Sequence, residues 1–267
     1  MLRDITIGQH FPGSSPVHRL DPRIKIILTV VYIVVLFCLP NISGMVVAFG
    51  AVLLLYLMAG IPVRVLLRSM KPILPILLFT AIFNLFFAAG EPIFQWWIFK
   101  LTKEGIRYAV SMMLRILCLI AGSSLLTYTT SPIVLTDALE RLMKPLAVLR
   151  LPVHELAMMM TIALRFIPTL IEETDKIISA QKARGADMES GSLGQRVKAL
   201  IPVLIPLFIS AFRRADELAM AMECRCYHGG EGRTRLRQLH LGKSDGVSVL
   251  VFGLLMAAVI ATGLLPF

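Results

Sequence analysis

Residues 26–63, IILTVVYIVVLFCLPNISGMVVAFGAVLLLYLMAGIPV, carry no charged side chain. A hydrocarbon core about 30 Å thick is crossed by roughly 20 apolar residues rising about 1.5 Å each, so this run is two membrane-spanning helices rather than one. Pro40-Asn41 and Ser43-Gly44 place a turn in its middle, because proline lacks a helical donor and Asn, Ser and Gly favour turn geometry. Outward from this stretch, a third uncharged run spans Pro72 to Gly90. A fourth is centred on Tyr108 to Tyr128 and interrupted only by Arg115, and a last one covers Gly246 to Phe267. Composition agrees: 57% hydrophobic residues, 16% charged and a mean hydropathy of +0.77 lie outside the range of soluble domains. The expectation is an all-α integral membrane protein with about five transmembrane helices and a helical cytoplasmic segment.

Lys and Arg orient these spans. Arg3, Arg19, Arg23 and Lys25 precede the first, Arg64, Arg68 and Lys71 lie between the second and third, and 16 of the 27 basic residues lie between Arg141 and Lys243. The Pro40 turn has none, and the turn before the fourth span holds Lys100, Lys103 and Arg107 beside Trp96 and Trp97, which suit a membrane interface. The positive-inside bias puts the N-terminus and the long basic segment in the cytoplasm and the C-terminus outside, as an odd number of spans requires. About two dozen mixed residues without a small-residue cleavage site precede the first span, so no cleavable signal is expected. The net charge of +10 follows spans as topology dictates and gives no support to nucleic-acid binding. The chain is read as 1–128 with four spans, 129–244 in the cytoplasm and 245–267 as the last span.

Within the cytoplasmic segment Ser131-Pro132 is a good helix start. Leu135, Ala138, Leu139, Leu142, Leu146 and Leu149 follow at helical spacing, with Pro145 expected to kink the helix. After Leu151-Pro152 a long helix from about His154 carries Leu156, Met158, Met159 and Met160 toward Arg184, and Gly185 is a candidate stop. Met188 to Gly194 is a loop, and a second long helix, with prolines at 202 and 206, runs from about Leu193 to Arg225 before Gly229-Gly230. Both long helices are expected to be too charged to cross a bilayer; the longest uncharged piece of the second, Ala199 to Phe212, is short for a span.

These two helices repeat one device. Asp175 precedes Arg184 by nine residues and Asp216 precedes Arg225 by nine, each unit following an Ile-Pro pair at 167–168 and 205–206. Nine residues at about 100° each turn a helix by about two and a half revolutions, so Asp and Arg point oppositely and do not neutralise one another. Each Arg then has two readings. It caps its own helix end, where the dipole favours a cation, or it presents five fixed donors to carboxylates or carbonyls of another protein.

LDPRIKI at 20–26, RFIPTLIEE at 165–173, AQKARGAD at 180–187 and the second Arg unit at 225, taken in order, resemble the CbiQ/EcfT family, the transmembrane T components of energy-coupling factor (ECF-type ABC) transporters. The resemblance covers essentially the whole chain. It implies a subunit of the prokaryotic plasma membrane that hydrolyses no ATP. Two coupling helices would dock through short Arg-centred motifs into two ABC ATPase subunits, and a substrate-binding S component for a vitamin or other micronutrient would be the third partner. By this resemblance the docking residues are Ala183, Arg184 and Gly185 in one motif and Cys224, Arg225 and Cys226 in the other. The second motif departs from the usual Ala-Arg-Gly. Cysteine lacks glycine's freedom at positive φ, so the second helix is expected to run on toward Gly229. Leu135, Leu139, Leu142 and Leu146, with Met158, Met159 and Met160, are either a surface on which S components slide, methionine tolerating repacking, or simply the packing between coupling helices.

Other chemistries find little footing. His154-Glu155 lacks the second His that a helical zinc motif needs four residues after the first, position 158 being Met. Cys224, Cys226 and His228, with His240 beyond, alternate in a pattern unlike zinc sites, and no metal or other cofactor is expected. Cys38 and Cys118 read as small apolar residues of spans. No Gly-rich phosphate loop ending in GK[ST] occurs, which places ATP hydrolysis on another polypeptide. Arg115 is the clearly intramembrane charge. It faces a partner or headgroups, or it bonds to a neighbouring helix. A stand-alone secondary transporter is the competing class, but it calls for ionisable groups along a polar path, and the spans offer one Arg and no paired carboxylate.

Overall fold

The computed structural model describes residues 10–87, 92–96, 99–149, 152–186, 192–229 and 242–264. The described residues fall into two compact units, one of 10–135 with 242–264, the other of 136–229.

The first unit is a helical bundle built of α1 (Pro16–Arg19), α2 (Pro22–Cys38), α3 (Ile42–Ala59), α4 (Val63–Met70), α5 (Leu74–Phe87), α6 (Lys103–Thr129) and α10 (Lys243–Leu264). Pro72 and Pro75 fall where α4 tightens through a 3-10 turn, Lys71–Ile73, into α5. Between α5 and α6 lies a short antiparallel hairpin, β1 (Pro92–Trp96) with β2 (Phe99–Thr102), where the sequence reading expected an interfacial turn. Trp97 lies outside the described residues.

Small residues and tyrosines let α6 approach its neighbours. A Cβ on Gly122 would sit 2.4 Å from Cε1 of Tyr32. Tyr32 donates its hydroxyl to the Cys118 carbonyl at 3.2 Å, and Tyr56 donates to the Ala121 carbonyl at 3.1 Å. These apolar rings with polar tips thus sit in a core of Leu36, Met45, Ala48, Cys118 and Val259, all fully buried. On the opposite flank Gly44 meets Gly263, allowing α3 and α10 to touch along their backbones. Ser43 and Asn41 donate to the Thr262 and Gly263 carbonyls there.

The LDPRIKI segment builds the entrance to α2. Asp21 caps the helix by accepting from the Arg23 amide at 2.9 Å, with Pro22 at the first helical position, and Arg23 folds back onto the same carboxylate at 2.7 Å. Lys25 is buried and donates to the Thr129 carbonyl at the end of α6 (3.0 Å) and to the His18 carbonyl (3.1 Å). Asp245, from the first turn of α10, accepts from the Asp21 amide at 3.0 Å. One heptapeptide therefore joins the ends of three helices.

The second unit contains most of α7 (Pro132–Met143), then α8 (Val153–Ala183) and α9 (Leu193–Glu223). Pro145 does not kink a continuing α-helix. The α-helix ends at Met143 and tightens into a 3-10 stretch, Lys144–Leu149, so that Leu149 is exposed and leaves the apolar face of α7. His154 bonds to Glu140 at 3.0 Å, tying the start of α8 to α7.

Six helical stretches among the described residues are long and apolar enough to cross a membrane: Ile42–Ala59, Val63–Phe86, Lys103–Thr129, Val153–Ala183, Gly194–Glu223 and Ser244–Gly263. The set differs from the five expected spans. α2, at 17 residues, is one residue shorter than the shortest of these. α8 and α9, expected to be too charged, satisfy length and composition because most of their charges gather toward their C-terminal ends.

Candidate functional site

α8 and α9 pack antiparallel, and prolines help to join them. Pro206 has no amide hydrogen for the carbonyl four residues earlier, which is that of Pro202. Gln181 of α8 fills the vacancy, donating its amide to the Pro202 carbonyl at 3.2 Å. Further along, Glu173 of α8 accepts from Ser210 and, at 2.8 Å, from Arg214 of α9. Partners rise along one helix as they fall along the other, so Arg184 and Arg225 lie toward opposite ends of the pair.

Both arginines sit in the same backbone turn. At the end of α8 the Gly185 amide bonds to the Lys182 carbonyl and the Ala186 amide to the Gln181 carbonyl, each at 3.0 Å, with Gly185 left-handed at φ 85°. At the end of α9 the Cys226 amide bonds to Glu223 at 2.8 Å and the Tyr227 amide to Met222 at 3.1 Å, with Cys226 left-handed at φ 56°. These are two copies of the Schellman motif, each with its arginine immediately before the left-handed residue. The expected run-on toward Gly229 does not occur: α9 stops at Glu223, and Cys226 adopts the conformation that a glycine would take. The turn's two hydrogen bonds hold an L-residue where it costs roughly 1–2 kcal/mol to be.

Ala183, Arg184, Gly185, Cys224, Arg225 and Cys226 are all exposed. Neither guanidinium has an ion-pair or hydrogen-bond partner among the described residues. Each helix end thus offers five planar donors beside a fixed turn, a geometry suited to carboxylates or carbonyls on another surface.

The apolar residues singled out from the sequence are spread over two elements. Leu135, Leu139 and Leu142 are half-buried on α7, Met158 is half-buried on α8, and Met159 and Met160 are exposed. The side chain of Leu146 lies outside the described residues, as does His240. Arg115, in the middle of α6, donates to the Leu39 carbonyl at 2.8 Å, where α2 has just ended and its carbonyls lack helical partners. Sequence reading missed Lys25, Asp245 and the Glu173–Arg214 pair. The DPRIK run of LDPRIKI pointed to the first, whereas the pair joins residues too far apart in the chain for local patterns to reveal.

Comparison with known proteins bears on the whole chain. The family model described as "Cobalt transport protein" (CbiQ) matches residues 13–236. A protein of Ruminiclostridium cellulolyticum is 54% identical over 254 residues, covering 95% of this chain and 94% of its own. One of Thermosediminibacter oceani is 51% identical over 99% of this chain and 96% of its own, and one of Bacillus subtilis 45% identical over 97% and 98%. All three bear the name energy-coupling factor transporter transmembrane protein EcfT.

Proposed function

Because this chain belongs to the CbiQ family and is an EcfT-type transmembrane component of energy-coupling factor transporters, a multi-pass protein of the cell membrane, we propose that it is the non-catalytic coupling subunit of such a transporter. In this reading Arg184 and Arg225 dock into two ABC ATPase subunits, which hydrolyse the ATP. α8 and α9 lie on the cytoplasmic side, with the N-terminus inside and the C-terminus outside. The Leu and Met faces of α7 and α8 receive a substrate-binding S component that selects a vitamin or other micronutrient.

The observation that carries this reading is the duplicated tip. Two exposed arginines, without partners among the described residues, occupy the same type of turn toward opposite ends of an antiparallel pair. An arginine serving only to cap its own helix would bond to the last carbonyls. Here those carbonyls are taken by backbone amides of the turn. When two ATPase subunits close on ATP, helices held in both move with them and carry that motion toward the membrane.

The chain, tagged in its own cells and purified in mild detergent, is expected to bring two ABC ATPases and one or more small apolar membrane proteins. Recovery of the chain alone, monodisperse and correctly folded, would count against the coupling role and favour a stand-alone secondary transporter.

A further inference from the structure

Aligning the two arginine tips also aligns the residues that join the helices. Glu173 stands eleven residues before Arg184, and Arg214 stands eleven residues before Arg225. The two members of the ion pair are therefore the same position in the two copies of the repeat, acidic in one and basic in the other. An antiparallel pair of repeated helices has a pseudo-twofold axis between them, and residues at equivalent positions meet where that axis passes. Ser210 of α9 adds its hydroxyl to the same carboxylate.

We propose that Glu173, Arg214 and Ser210 form the pivot of the coupling helices, a positioning cluster that fixes where α8 and α9 cross and thereby the spacing of the two arginine tips. The proposal rests on the coupling role set out above. Each tip is eleven residues from the pivot, so the tips lie about 33 Å apart along the helix pair at about 1.5 Å per residue. Both arms have the same length, so a rotation at the pivot displaces the two tips equally. The pair is partly shielded, its Arg and Glu side chains being 36% and 22% exposed. That favours a directed bond over a loose surface contact. Pro168 of α8 and Pro202 and Pro206 of α9 all precede the pivot in their helices, so both arms, residues 173–184 and 214–225, are free of proline and run toward their tips as uninterrupted helix.

The full chain in nanodiscs tests this with spin labels at Ala183→Cys and the native Cys224, in a background of Cys38→Ala and Cys226→Gly. Cys118 is buried and stays unlabelled. A single narrow distance distribution is expected, which Glu173→Ala broadens by about two-fold or more and the charge swap Glu173→Arg with Arg214→Glu narrows again. Should Glu173→Ala fail to fold, the swap decides alone, by reproducing the parent distribution or not. With ATPases and S component present, Glu173→Ala is expected to retain the ATPases while ATP-driven uptake falls about ten-fold, the equivalent of one charge-assisted hydrogen bond. An unchanged distribution and undiminished uptake in Glu173→Ala, or a swap that restores neither, would overturn the pivot. The distance measurement needs no ATPase, so it is separable from docking: ATPases retained by a chain with both tip arginines reversed would instead sink the coupling reading.

Discussion

Cys226 holds a left-handed conformation, φ 56°, that costs an L-residue roughly 1–2 kcal/mol and glycine almost nothing. Replacing it by glycine removes that cost and, in exchange, loosens the unfolded chain by about 0.4–1 kcal/mol. A net gain of about 0.5–1 kcal/mol should therefore appear as local stabilisation of the turn, slowing its opening by roughly two- to five-fold. The reporter is amide exchange at Tyr227, whose hydrogen bond to the Met222 carbonyl closes the motif. Gly185→Cys supplies the mirror experiment. Nothing lies within 4 Å of a Cβ built there, so the substitution changes backbone preference without a clash. Exchange at Ala186 should accelerate by a similar factor. Mass spectrometry of peptides spanning each tip, on protein in nanodiscs, reads both. Faster exchange at Tyr227 in Cys226→Gly, or no change at Ala186 in Gly185→Cys, would refute the equivalence of the two turns.

In the first unit, Gly122→Ala drives a methyl to 2.4 Å from the Tyr32 ring; a loss of about 1–3 kcal/mol is expected, seen as a lower midpoint in thermal unfolding in detergent. His18, in α1 and bonded through Nε2 to the Phe11 carbonyl at 3.0 Å, has its pKa lowered chiefly by burial, the Phe11 bond opposing. Its neutral form belongs to the folded state, so its contribution is present above the unfolded value near 6.5 and is lost as pH falls through the lowered folded value. Stability should decline as pH falls from 7 through and below the unfolded value near 6.5, and His18→Gln should flatten that slope.

What the sequence revealed depended on how local the cause was. Residues 26–63 declared two helices and a turn because charge and proline act where they stand, and α2 and α3 flank Pro40-Asn41 as expected. The two Arg units were visible as a spacing. The turn that displays them was only half legible: glycine at 185 signalled it, whereas cysteine at 226 argued against it, and the closing bonds from Cys226 and Tyr227 outweighed local preference. α9 begins at Leu193, where the sequence reading started the second long helix, and Ser192 and Gln195 form a capping box there, the Ser192 amide donating to Gln195 at 2.9 Å. That Ser-x-x-Gln signal was in plain view. Lys25 reaching Thr129 and Glu173 reaching Arg214 were not, because 104 and 41 residues separate the partners and nothing in either neighbourhood names the other.

The most direct test of the coupling role is the affinity of purified ABC ATPase subunits for this chain in nanodiscs, with Arg184→Glu, Arg225→Glu and both together. Each single reversal should weaken binding by about 30-fold, as loss of an interface arginine worth about 2 kcal/mol implies, and the double reversal should abolish it in a protein that still inserts and folds. Binding by the double variant within about two-fold of the unmodified chain would contradict the account.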